Sequence, residues 1–298
     1  MTETVFARKA YVPPSDLSQT WTCLVNRISL LARQRSVWAL FLLVTTIPVL
    51  YVALSAALPG FFKDSDVSNV DMSYILAALP VVSALVSSAV CGSMVHDDHG
   101  GRTAYLTVPL PISRRSIYVG RFMAGFTICS AITLGAYGVA AAISLLETSV
   151  QFTPWIAVSL VTSLAGTFFA CSFAYLLGTC FRRGGSILSL ALLAVAMPLA
   201  GVLLALSAPP ASGVVGYMPI YAFDLSLDLL GGATHVSVPG LFDGMQTASA
   251  GFSAGPDPIL ACALCVIAGI AILLAGCRIN DRRDFRWRRH GWPWPSSC

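Results

Sequence analysis

His96-Asp97-Asp98-His99 is the densest group of metal-binding and proton-transferring side chains in this chain. Imidazole beside carboxylate suits a cation site or a general acid–base pair. Adjacent residues point at one ion only where a turn folds them together. Asp281, Asp284 and His290 lie far along the chain in a basic tail, and His235 and Asp243 belong to a different loop. A solvated helix end is therefore the preferred reading of His96–His99, and no metal ligand is assigned. Cys262 and Cys265 have C-x-x-C spacing, but inside a continuously apolar run, where cysteine acts as a small hydrophobe. No Ser/His/Asp or Cys/His set stands on a supporting scaffold, so no catalytic residue is assigned. There is no G-x-x-x-x-G-K-[ST] phosphate loop, and neither lysine, Lys9 or Lys63, is near a glycine-rich turn.

The elements around these residues belong to a membrane protein. Of the 298 residues 56% are hydrophobic and 11% charged, against about 25% charged in an ordinary soluble domain. The apolar residues form six uncharged runs: Val37–Leu58, Tyr74–Val95, Phe122–Leu146, Trp155–Phe181, Ser186–Ser207 and Pro258–Cys277. Roughly 20 apolar residues in a helix cross about 30 Å of hydrocarbon. The runs are continuous, not alternating, which excludes barrel strands. The first begins too late and runs too long for a cleaved signal peptide. The expectation is an all-α integral membrane protein: residues 1–36 as a cytoplasmic N-terminus with an interfacial helix, 37–277 as a six-helix transmembrane domain, and 278–298 as a basic cytoplasmic tail.

Orientation follows from the loop charges. With both termini inside, 17 of 18 Lys and Arg lie in cytoplasmic segments, which carry net +11; the outer segments carry net −7. Membrane orientation accounts for the arginines, and no nucleic-acid partner is assigned. Of nine cysteines seven lie in the spans, Cys23 and Cys298 lie in the tails, and the outer loops have none, so no extracellular disulfide framework is expected.

Along the chain, Ser15 is a helix N-cap candidate. Leu17, Trp21, Leu24, Ile28 and Leu31 follow at helical spacing, accompanied by Arg27, Arg33 and Arg35. That pattern predicts a helix in the inner membrane interface. Pro48, Pro80 and Pro198 fall within spans, where proline is tolerated. The third span carries Gly125, Gly135, Ala136, Gly138 and Ala140–Ala142. These small residues are either a packing face or the ordinary composition of a membrane helix, and both readings stay open. Ala208–Asp257 has no Lys or Arg, and its segment Tyr217–Leu230 is apolar but too interrupted to span. It reads as a re-entrant segment in the outer leaflet, with an ordered surface loop as the alternative. The spans contain no Asp, Glu, Lys, Arg or His, which argues against a proton-driven carrier. Backbone carbonyls can still bind sodium, and with no phosphate loop here any ATP must be hydrolysed by another chain.

Between the second and third spans, His96–Arg121 combines Asp97, Asp98, Gly100, Gly101, Tyr105 and Leu106 with Pro111-Ile112-Ser113-Arg114 and Tyr118-Val119-Gly120-Arg121. This loop resembles the first cytoplasmic loop of type-2 ABC exporter permeases, with its acidic turn, glycines, Pro-aliphatic-Ser-Arg and basic entry to the third span. Pro219, Tyr221, Phe223 and Asp224 resemble, more faintly, the start of that family's outer re-entrant helices. His99, Arg102 and Arg121 depart from the family pattern.

The resemblance implies a six-span permease subunit of an ATP-driven exporter. ATPase-coupling residues would be Asp97, Asp98, Gly101, Tyr105, Leu106, Pro111, Ser113 and Arg114, and an outer gate would hold Pro219, Tyr221, Phe223 and Asp224. It also implies an ATP-binding ABC subunit as partner, a second permease chain in a homo- or heterodimer, membrane lipid around both, and ATP with Mg bound only by the ATPase. Arg114 and Arg115 serve either orientation or a specific contact with partner carboxylates or lipid phosphates. The alternatives are a non-transporting scaffold or sensor, and a membrane enzyme using His96–His99.

Overall fold

The computed structural model describes residues 15–57, 79, 82–94, 113–146, 155–181, 187–192 and 258–289. Among them all regular structure is helical, and there is no strand. The helices are α1 (Asp16–Ala32), α2 (Arg35–Ala57), α3 (Val82–Met94), α4 (Arg114–Leu146), α5 (Trp155–Cys180), α6 (187–192) and α7 (Pro258–Arg289). Parts of α4, α5 and α7, of 29, 22 and 22 residues, are long and apolar enough to cross a membrane. At 1.5 Å per residue, 22 residues cover about 33 Å, the thickness of the hydrocarbon.

The distribution of side chains is that of a protein in lipid. Leu42, Leu43 and Leu50 on α2, Val161 on α5, and Ile259, Ile267 and Leu274 on α7 are exposed. The interior holds Ser83, Ser87, Ser88, Thr133, Ser159, Thr162, Ser163 and Thr167 beside alanines, cysteines and larger apolar side chains such as Val44, Leu79, Phe122 and Tyr175. Large apolar side chains on the outside suit lipid better than water, and in lipid small residues gather where helices meet. Most of these hydroxyls are satisfied within their own helix. Ser87 donates to the Ser83 carbonyl at 2.6 Å, Thr133 to Cys129 at 3.0 Å and Thr167 to Ser163 at 2.8 Å.

Helix α5 is the most enclosed of the long helices and α7 the least. Aromatic rings join α4 to α5: Tyr118 and Tyr175 have centroids 4.6 Å apart, and Phe126 meets Phe168 edge-on at 5.3 Å. Tyr175 also donates its hydroxyl to the Tyr118 carbonyl at 3.2 Å. Helices α3 and α5 approach closely enough that a methyl group at Gly178 would lie 2.8 Å from the Gly92 carbonyl oxygen.

α1 and α2 meet at a bend of 73°. Backbone N–H groups of Arg33 and Gln34 close the last turn of α1 onto Leu30 and Leu31. The Trp38 indole donates to the Ala32 carbonyl at 2.7 Å, satisfying one of the acceptors a helix end leaves open. α1 thus lies across the axis of α2. Its expected apolar stripe divides: Leu31 is buried and Ile28 packs on the core, whereas Leu17 and Trp21 are 83% and 66% exposed.

Two helices run past their apolar stretches. α4 begins at Arg114, eight residues ahead of the expected start at Phe122, because Ser113 caps it and its first turns rest on α1. α7 continues through the basic stretch to Arg289, a sequence without Gly or Pro, so nothing breaks it before Gly291 and Pro293. Of the small residues on α4, Ala136 and Ala140 are buried and a methyl at Gly135 would meet Phe41, while Gly138 faces open space. The packing reading therefore holds for part of that set. Of the fifth apolar run only 187–192 is described. The expected re-entrant segment Tyr217–Leu230 lies outside the described residues.

Candidate functional site

The described part of the 96–121 loop region is its root, where α4 starts. Ser113 is the N-cap of α4: its Oγ accepts the Ser116 N–H at 3.3 Å, and its carbonyl accepts the Ile117 N–H at 3.2 Å. The two hydroxyls, Ser113 and Ser116, lie 2.5 Å apart. Both residues are then tied to the first turn of α1. Gln19 is 7% exposed, and its Oε1 accepts the Ser113 N–H at 2.8 Å; the Ser116 hydroxyl donates to the Asp16 carbonyl at 3.1 Å. One turn further, a methyl group at Gly120 would lie 2.8 Å from the Thr20 carbonyl oxygen and 2.9 Å from the Cys23 Cβ. Only glycine lets the α1 and α4 backbones come this close.

The other root of the loop is Met94, the last residue of α3. Arg27, two turns along α1 from Gln19, reaches its carbonyl with Nη2 at 3.4 Å. One helix therefore touches both ends of the loop, at positions about 12 Å apart along its axis. Between these contacts sits Cys23, half-buried. Burial raises its thiol above the ordinary value of 9.0, and the Arg121 guanidinium nearby opposes the shift. The thiol stays protonated at neutral pH and is a poor nucleophile.

Of the expected coupling residues, Ser113 and Arg114 are described, as the cap and first residue of α4. Ser113 is thus engaged in holding the loop root. Asp97, Asp98, Gly101, Tyr105, Leu106 and Pro111 lie outside the described residues, as do His96, His99 and the outer set Pro219, Tyr221, Phe223 and Asp224. Sequence reasoning missed Gln19, Ser116 and the role of Gly120. Ser113-x-x-Ser116 has cap spacing and was open to notice, but a lone glutamine 94 residues away gives no such signal. Arg27, expected beside the interfacial stripe, turns inward to Met94.

A second convergence lies just inside this root. Cys91 on α3, Cys129 on α4 and Cys171 on α5 are at most 2% exposed, and their sulfur atoms all lie within 4.8 Å of one another. The chain matches no known family profile and no curated protein.

Proposed function

We propose that this chain is the transmembrane permease subunit of an ATP-driven exporter of the type-2 ABC class. It has six spans, both termini in the cytoplasm of the cell membrane, and a re-entrant segment before the last span. The observation that carries this reading is the double contact of α1 with the loop roots, at Ser113 and at Met94. A loop that receives a push transmits it only if its ends are held, and an interfacial helix bound to both ends moves with them. The loop residues 97–111 would take the contact with a separate ATPase chain, which binds the ATP and Mg. Hydrolysis would shift α1, α3 and α4 together, opening a path between this chain and a second permease. The apolar spans favour an apolar or amphipathic cargo. The charge distribution along the sequence supports the orientation, and the lipid-type side-chain distribution supports the membrane setting.

The test is purification of the full chain from its native membrane in mild detergent. Recovery of an ATPase by the native chain, and its loss with Leu106→Glu or Arg114→Glu, is the expected result. Absence of any ATPase from the native preparation would overturn the reading.

A further inference from the structure

The three cysteines Cys91, Cys129 and Cys171 come from three different helices and are separated by 38 and 42 residues, yet their sulfurs converge on one point. All three are free thiols. The remaining described cysteines, Cys23, Cys180, Cys262, Cys265 and Cys277, form no such group of three among the described residues. The convergence also has made room for itself. Gly125, one turn before Cys129 on α4, has no side chain, and a methyl there would lie 2.8 Å from the Cys91 sulfur and 2.9 Å from the Met94 methyl. The Met94 sulfur borders the same space, 3.0 Å from that methyl position. A simple apolar contact would be served by any small residue at these positions; three thiols brought together from three helices offer soft donors in one place.

We propose that Cys91, Cys129 and Cys171 form a three-sulfur site for a soft monovalent cation of the Cu(I) type. Three sulfurs bound at about 2.3 Å around a central ion stand about 4.0 Å apart, so sulfurs already within 4.8 Å of one another are close to that spacing. Thiolate and thioether donors select Cu(I) over hard cations. Zinc in a structural site takes four ligands, and among the described residues no His or carboxylate joins this group.

Donor softness favours Cu(I). Cysteine ligates as the thiolate, so each sulfur that binds loses its S–H proton to the solvent and forms one Cu–thiolate bond, and no electron is transferred. Cys91 lies one turn before Met94, whose carbonyl Arg27 of α1 contacts. The site stands or falls independently of the transport reading.

The test uses the full chain in detergent, reduced and anaerobic, titrated with Cu(I) held by a competing chelator of known affinity. Binding is read by stoichiometry and by the ultraviolet thiolate-to-copper band. In one variant, the other six cysteines (Cys23, Cys180, Cys262, Cys265, Cys277 and Cys298) are changed to serine. The expected result is one equivalent of Cu(I) bound by this variant, and loss of that equivalent when Cys129→Ser is added. If the variant is monodisperse and binds none, the site is overturned. If it fails to fold, Cys129→Ser in the native chain decides, with size-exclusion behaviour as the folding check. A fall of one equivalent supports the site, and unchanged stoichiometry overturns it. Copper lost equally with Cys262→Ser would assign the binding to the other cysteines and also overturn it.

Discussion

The α1–α4 and α3–α5 junctions have the same central geometry. At each, a glycine faces a backbone carbonyl oxygen that a methyl group would approach to 2.8 Å: Gly120 against Thr20, and Gly178 against Gly92. Their surroundings differ. The α3–α5 junction is enclosed by Ala84, Ala170, Cys91 and Cys171, all fully buried, with a hydroxyl contact of 3.4 Å between Ser83 and Thr167. The α1–α4 junction lies at the rim. There the Gln19 and Ser116 side chains bond to backbone groups, while Leu17, Trp21 and Val25 on the same helix stay open to the surroundings. Close approach alone does not make a core. Where both flanks are covered, the approach builds the bundle; where one flank is open, directional bonds must fix the position.

The largest effect is expected from Gly178→Leu. The atom in its way is backbone, inside a covered interface, so α3 and α5 must separate. A loss of about 3 kcal/mol or more is expected, read as failure to purify a monodisperse protein or a sharp fall in thermal transition in detergent. Gly120→Leu meets the same kind of obstacle at the rim, and should cost about 1–3 kcal/mol by lifting α1 while the bundle stays folded. Limited proteolysis would separate the two: rapid cleavage within residues 15–32 and an intact remainder for Gly120→Leu, general cleavage for Gly178→Leu. Equal general cleavage in both variants would erase the distinction between rim and core.

Gln19→Leu tests whether the rim depends on directional bonds. It keeps most of the side-chain volume but leaves the Ser113 N–H without its 2.8 Å acceptor. A cost of about 1 kcal/mol follows from losing the acceptor of a partly buried donor. Hydrogen exchange at Ser113 and along the first turn of α4 should quicken, while exchange in α5 stays unchanged. Unaltered exchange at Ser113 would mean that packing alone holds α1 in place.

The difference between the regions also explains what could be read from the chain. Apolar runs located the stretches now found in α2, α4, α5 and α7, because lipid demands an uninterrupted length of apolar helix and nothing tertiary is needed to see it. The same signal is blind to helix that lies outside the lipid. The start of α4 carries Arg114, Arg115 and Arg121, and α7 carries its basic residues to Arg289, so both helices outlast their uncharged runs. The loop root had a local signal in the cap spacing of Ser113 and Ser116, which the sequence reading did not use. Gln19 and Arg27 had none, because their partners are 94 and 67 residues away and a single polar side chain carries no period. The cysteine convergence was hidden for the same reason. Each cysteine alone reads as a small hydrophobe, and only the packing of three helices brings them together.

Tyr137→Phe probes the interior with a smaller change. The Tyr137 hydroxyl lies 2.9 Å from the Ser159 hydroxyl, between α4 and α5, and both residues are buried. Hydrogen bonds between helices in lipid contribute about 0.6 kcal/mol on average and up to about 1.7 kcal/mol. Removing this one should lower the transition in detergent slightly, without loosening α1, and a loss larger than that of Gln19→Leu would put the polar dependence in the core instead of at the rim.

Gly138→Ala is the smallest change and the sharpest control on the role of glycine. Gly138 sits on the same helix as Gly120 and Gly135, one residue after the buried Tyr137, yet a methyl there meets nothing within 4 Å. If small residues on α4 matter only where a neighbouring helix comes close, the added methyl displaces nothing. The chain then gains from replacing glycine within a helix, where glycine is about 0.5–1 kcal/mol less favourable than alanine in water. Stability should be unchanged or slightly raised. A clear loss on Gly138→Ala would show that this face is covered in the membrane by something beyond the described residues of one chain. On the proposed reading, a second permease subunit packed along α4 is the partner to look for first, by cross-linking from position 138.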